Sequence, residues 1–275
     1  MSKKVRVALL GCGTIGGYVM EAIVEQRVDN LEIAVVCVRS MASKGVGRAK
    51  ELGLPVITDP GEIGRHKVDI VAENASQEAL GQWGESILEQ GMSLIPMSLG
   101  ALVDGSLLER MKAAAYRGGC KLIVPSGGVG GLDAIRGAMV GGIESAELIC
   151  RKPPEAWKDI PYVEKRGWDM DSVTEPLLLY EGPAKDCVKE FPQNVNIAAA
   201  LSLASVGFDR TKVTIYADPT IVHNTHQIIC RGVNGNLSFQ FENVPVPTYP
   251  KTTYQACASV AAALERFASS YCVGT

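Results

Sequence analysis

Imidazole chemistry has few possible seats in this chain, because its 275 residues include only three histidines, His66, His223 and His226. A free imidazole titrates near neutrality and suits proton transfer coupled to a redox step. His66 stands in Gly64-Arg65-His66-Lys67-Val68, ahead of an apolar run, and reads as a surface residue. His223 and His226 share the segment ADPTIVHNTHQI (217–228). There Asp218-Pro219 marks a turn, and Asn224-Thr225-His226 leads into the apolar run Gln227–Cys230, so His226 falls where a strand begins and a cleft can be lined. A purely structural role for His226 is the alternative.

Other polar groups gather in two segments. Phe191-Pro192-Gln193-Asn194-Val195-Asn196-Ile197 precedes the helical run IAAALSLAS (197–205). Asn196 is a natural N-cap there, and Asn194, outside the helix, is free to offer its amide to a ligand. Arg151-Lys152-Pro153-Pro154 closes a strand-like run with two fixed charges, which reads either as a seat for a substrate carboxylate or as a solvated basic turn. The eight cysteines include no C-x-x-C pair and no histidine at metal-ligand spacing, so they read as reduced, mostly buried thiols and no metal is expected. Cys12 lies at a helix N-terminus, where a thiolate can be favoured. We read it as the filler of a variable position.

That variable position belongs to VRVALLGCGTIGG (5–17), an apolar β-like run ending in Gly11, Gly13 and Gly16 at G-x-G-x-x-G spacing. Gly11 permits the tight turn, Gly13 lets the backbone approach a pyrophosphate, and Gly16 lets the next helix pack on the strand. With Thr14 and Ile15 between them, these residues form the expected dinucleotide-binding turn. In NAD-specific domains an acid roughly 20 residues further on holds the ribose hydroxyls. This chain has Val36-Cys37-Val38-Arg39-Ser40 instead. Arg39 with Ser40 suits a 2′-phosphate, so NADP is expected alongside NAD, unless Arg39 is simply a solvated loop charge.

The elements that must position these groups follow from apolar periodicity. Strand-like runs at Leu31–Val38, Val68–Ala72, Ser93–Met97 and Lys121–Val124 alternate with helical segments at Tyr18–Glu25, Ala42–Leu52, Gln77–Gln90 and Ser106–Tyr116. The alternation predicts an α/β domain over residues 1–125, an N-terminal Rossmann doubly wound parallel sheet. After the glycine-rich SGGVGGLDAIRGAMVGG (126–142), strand-like runs at Ser145–Arg151, Lys212–Ala217, Gln227–Gly232 and Leu237–Val244 have mostly short connections. They predict a smaller α+β substrate domain over 126–248 with a mainly antiparallel sheet, interrupted by a helix at Ile197–Ser205. A C-terminal helix is expected within 249–275, its alanine-rich and strongly apolar run Tyr254–Ser269 must be buried, and it is expected to return to the first domain. A net charge of −3 with scattered Lys and Arg argues against nucleic acid, and no apolar run suits a signal peptide or membrane span, so a cytosolic protein is expected.

Taken together, GCGTIGG, MSLGAL (97–102), PSGGVGGLDAI (125–135), RKPP (151–154), FPQNVNIAAALSLA (191–204) and ADPTIVHNTHQI resemble the L-aspartate dehydrogenase family over almost the whole chain. The resemblance implies a homo-oligomer, with a dimer favoured, and NAD(P)-dependent oxidative deamination of L-aspartate. Iminoaspartate forms first and water converts it to oxaloacetate and ammonia; the reaction is reversible and is a possible source for NAD biosynthesis. It also implies that His226 is the catalytic histidine and general base, Asn194 a cofactor contact, and Gly128 the small residue at the nicotinamide end. Gly128 departs from the alanine expected there. Lys152, Ser126, Gly127 and Asn196 are the candidate substrate-binding residues. A related oxidoreductase resembling homoserine dehydrogenase or dihydrodipicolinate reductase is the nearest alternative, and a non-catalytic nicotinamide-nucleotide sensor the alternative of another class.

Overall fold

A computed structural model describes residues 4–191 and 196–274. The chain divides into two units: Met1–Pro125 with Cys257–Val273, and Ser126–Ala256 with Gly274–Thr275. In the first unit the order is β1 (Val5–Leu10), α1 (Thr14–Val24), β2 (Leu31–Cys37), α2 (Gly45–Glu51), β3 (Val56–Ile57), β4 (Ile70–Glu73), α3 (Gln77–Glu89), β5 (Ser93–Pro96) and α4 (Gly105–Gly118). The strands form a parallel five-stranded sheet in the order β3-β2-β1-β4-β5. Both β4 and β5 are buried at every position, as parallel strands covered on two faces must be. Side chains set the helix starts: Ser76 accepts from the Ala79 amide and Asp104 from the Ser106 amide.

Three local expectations change here. Helix α1 begins at Thr14, inside the glycine motif, and α2 begins at Gly45 rather than Ala42. The run Lys121–Val124 makes only a single bridge, Leu122 to Leu94. Leu94 exchanges bonds of 2.8 Å with Lys121 and Ile123, but the next rung needs an N–H from Pro96, which proline lacks.

The second unit contains α5 (Leu132–Gly141), β6 (Ile143–Lys152), α6 (Pro161–Lys165), β7 (Leu177–Pro183), α7 (Ala184–Glu190), α8 (Asn196–Ala204), β8 (Thr211–Ala217), β9 (Asn224–Gly232), β10 (Gly235–Asn243), β11 (Pro245–Val246) and β12 (Tyr249–Thr253). Its sheet runs β10-β9-β6-β8-β7, with β6 and β8 parallel and the other neighbours antiparallel. Helix α5 arises within the glycine-rich segment, and β7 and α7 within a stretch whose pattern gave no signal. One sheet face is buried through Leu148, Cys150, Val213, Ile215 and Ile228, and α8, whose small Ala198, Ala199 and Ala200 are buried, lies against β6 and β8. The opposite face, with Ile149, Tyr216, Gln227 and Ile229, is half-buried.

The last helix, α9 (Tyr254–Ala268), follows β12, so residues 249–253 are strand rather than helix. Its buried stripe is Cys257, Val260, Ala261 and Leu264, a one-sided pattern and not full immersion. Among the described residues no helix is long and apolar enough to cross a membrane.

The glycines of the first turn divide by what surrounds them. A Cβ on Gly16 falls on the Gly11 carbonyl oxygen, and one on Gly11, whose φ is +92°, meets the Asn74 carbonyl at 2.7 Å; Gly13 has nothing within 4 Å. Gly16→Ala is therefore expected to lose about 1–3 kcal/mol of stability. Gly13→Ala should stay within about 0.5 kcal/mol of the parent, both read by urea denaturation.

Candidate active site

In the first unit the strand order reverses beside β1, and the Gly11–Gly16 turn leaves the carboxyl end of that strand. Ligands of open α/β sheets bind there. Gly13 is exposed and is the N-cap of α1 without any side-chain cap, which leaves first-turn N–H groups to an anion. Thr14 and Ile15 open the helix and are half-buried. Beyond β2, Val38 is buried while Arg39 and Ser40 are exposed, so the guanidinium is available to a polyanion. Cys12 is buried and burial raises its pKa, with Glu21 adding to the effect, so it is not an activated thiolate.

Glu73 was not singled out from sequence, although a carboxylate closing the apolar VDIVA run was a visible signal. It has no exposed surface. Its Oε1 accepts from the Ala75 amide (2.7 Å), the Ser76 amide (3.0 Å) and the Ser98 hydroxyl (2.9 Å), and its Oε2 accepts from the Ser98 amide (3.1 Å). Burial raises its pKa and the four donors oppose that rise. One side chain thus fixes the segments after β4 and β5, and the first of these lies against Gly11. The open Gly13, the uncapped helix start and a buried Asn74 Oδ1 without a partner among the described residues fit the phosphate and ribose groups of a dinucleotide.

The second unit carries the imidazole. His226 is the third residue of β9 rather than its first, and only 3% exposed. It pairs with Cys150 on β6 and with Phe241 on β10, so its side chain shares their face. Asn243, two residues beyond Phe241, places Nδ2 2.7 Å from the Gly128 carbonyl oxygen and 3.2 Å from His226 Nδ1. Burial lowers the His226 pKa to about 3, and Lys152 contributes in the same direction. The ring is neutral at pH 7, as both a proton acceptor and an uncharged hydrogen-bond donor require.

Lys152 lies two residues past Cys150 and so on the same face, 6% exposed, with its Nζ 4.9 Å from the centre of the Trp157 ring. Burial favours its neutral form, lowering its pKa. Arg151 points the other way: it is paired with Asp218 at 3.0 Å and lies over the Tyr216 ring, so it is already engaged. Gly127 and Gly128 are buried and Ser126 half-buried. Ile197 Cδ1 stands 3.0 Å from where the expected alanine at 128 would put its Cβ, so the glycine leaves no void. Asn196 is the first residue of α8, His223 is exposed, and His66 is half-buried with its carbonyl bound by Arg6. Asn194 lies outside the described residues.

Residues 133–267 match the family described as "Aspartate dehydrogenase, C-terminal", and residues 11–125 the "Homoserine dehydrogenase, NAD binding domain". The chain is 38% identical to the L-aspartate dehydrogenase of Methanosarcina barkeri, covering 98% of this chain and 99% of that one. It is 37% identical to that of Bradyrhizobium diazoefficiens, covering 100% and 95%. The crystal structure of aspartate dehydrogenase from Thermotoga maritima superposes with a TM-score of 0.75 at 25% identity, over 98% of this chain and 99% of that one.

The buried imidazole has a consequence for acid stability. A folded pKa near 3 against 6.5 in the unfolded chain means that the unfolded state binds the extra proton between those values. The contribution of His226 is complete above pH 6.5 and falls on acidification by up to about 1.4 kcal/mol per pH unit. His226→Gln should flatten that part of the stability profile, measured by urea midpoints from pH 4 to pH 7.

Proposed function

This chain belongs to the L-aspartate dehydrogenase family, and on that premise we propose how its residues divide the work of NAD(P)-dependent oxidative deamination of L-aspartate. The supporting observation is the buried polar group of His226, Asn243 and Lys152 on a sheet face that is largely apolar. Burying such groups is costly unless they serve a ligand or one another. When bound, the nicotinamide takes the hydride from the substrate Cα.

The protein's tasks are binding, orientation and charge. Gly11, Gly13, Thr14, Ile15 and Gly16 receive the pyrophosphate at the start of α1, and Arg39 with Ser40 receives the adenosine ribose, with its 2′-phosphate where NADP is used. Gly128 and Asn194 are assigned to the nicotinamide end. Lys152 takes a substrate carboxylate, whose negative charge favours the ammonium against the cost of burial, and the backbone of Ser126 and Gly127 and the amide of Asn196 supply further donors. His226 touches the reacting end of the substrate.

The same proposal extends to a cytosolic homodimer, joined through the half-buried sheet face that includes Ile149, Tyr216 and Ile229. Iminoaspartate released from it would serve pyridine nucleotide biosynthesis.

Turnover of NAD and NADP with L-aspartate, but not with homoserine, glutamate or alanine, is expected when nicotinamide reduction is followed by absorbance. His226→Ala should lower kcat by about 10²- to 10³-fold in a folded protein. Lys152→Met should raise KM for aspartate by about 10- to 100-fold. Near-normal kinetics in both variants would sink the site assignment.

A further inference from the structure

We infer that Asn243 is a positioning residue that locks His226 in its Nε2–H tautomer, so that the imidazole meets the substrate as an uncharged hydrogen-bond donor and not as a base at Nε2. The inference rests on the reading of His226 as the catalytic imidazole.

The argument begins with a backbone carbonyl. The Gly128 oxygen can only accept, so the Asn243 atom 2.7 Å from it must be the amide nitrogen; the flipped amide would set two acceptors against each other. The same nitrogen lies 3.2 Å from His226 Nδ1. It has two hydrogens, one for each neighbour, so Nδ1 must present a lone pair. In a neutral ring the proton is then on Nε2. Proton uptake at Nδ1 would require the amide to turn and abandon the Gly128 carbonyl.

The surroundings support a ring that stays neutral. Cys150 and Lys152 are the titratable neighbours on the same face of β6, Phe241 opposes the ring on β10, and the segment 125–131 and α8 contain no charged residue. A neutral imidazole of this kind polarises an oxygen without transferring a charge, as some enzymes use it at a carbonyl. A carboxylate or carbonyl oxygen of the four-carbon diacid or its keto form has the matching chemistry. Asn243 itself gave no sequence signal, since it ends a strand as an ordinary polar residue.

The test is nitrogen NMR of the imidazoles in protein labelled with 15N-histidine, with the His226 resonances assigned by their loss in His226→Gln. A pyridine-like Nδ1 and a protonated Nε2 are expected at pH 7. In Asn243→Asp a carboxylate oxygen faces Nδ1, so a ring proton should move there, and kcat should fall about 10- to 100-fold. Should that variant fail to fold, Asn243→Ser loses the lock and should show averaged tautomers. A wild-type ring protonated at Nδ1, or a variant with an unaltered ring pattern and kcat, overturns the inference. Full turnover by His226→Gln would instead remove the catalytic reading of His226, whatever its tautomer.

Discussion

Two hydrogen-bonded ladders share β9, and that sharing is the constraint on which the second unit depends. Cys150 of β6 and Phe241 of β10 oppose His226 from its two sides, so the ring cannot change face without shifting both registers. The same registers carry Lys152 to the end of β6 and Asn243 to the end of β10 on the buried face. Backbone pairing therefore concentrates His226, Lys152 and Asn243, with Asn224 opposite Asn243, at one end of a largely apolar layer. Their desolvation is offset in part by the amide bridging to Gly128 and by the Trp157 ring beneath the ammonium.

In the first unit the comparable element is a carboxylate. The hydrogen bonds to Glu73 come from neutral donors, on Ala75, Ser76 and Ser98. It ties together the exits of two adjacent strands, and the close approach of Asn74 to Gly11 connects that tie to the glycine turn. The turn is thus supported from outside its own motif.

Much of this was legible in the sequence because the signals are local. Of the parallel strands, β1, β2, β4 and β5 read as short apolar runs while the two-residue β3 did not, and the glycine spacing marked the turn before α1. The mixed sheet was legible as mainly antiparallel from its short connections, while the β6–β8 parallel pair was not. Helix α5 was hidden because glycine weakens helix propensity, and tertiary packing overrides that preference. Lys121–Val124 looked like a strand because its apolar residues carry no information about Pro96 on the neighbouring strand. Asn243 was missed because it acts through a contact 115 residues away that nothing in its immediate sequence announces, whereas Glu73, visible as a carboxylate closing an apolar run, has its link to Ser98, 25 residues away. His226 was identified, but its partner and hence its protonation pattern were not.

The assignment of Cys257–Val273 to the first unit bears on the order in which the chain completes itself. The Asp29 amide donates to Glu265, so a loop after the first helix waits for a residue 236 positions further along the chain. Growing from its N-terminus, the chain can pair β1 to β5 long before α9 exists. The apolar stripe of α9, with Val260 and Leu264 fully buried, then arrives after Ser126–Ala256 of the second unit has been translated. The first unit to start is consequently the last to finish, and on the ribosome the nucleotide fold must persist as an incomplete intermediate while its neighbour is built.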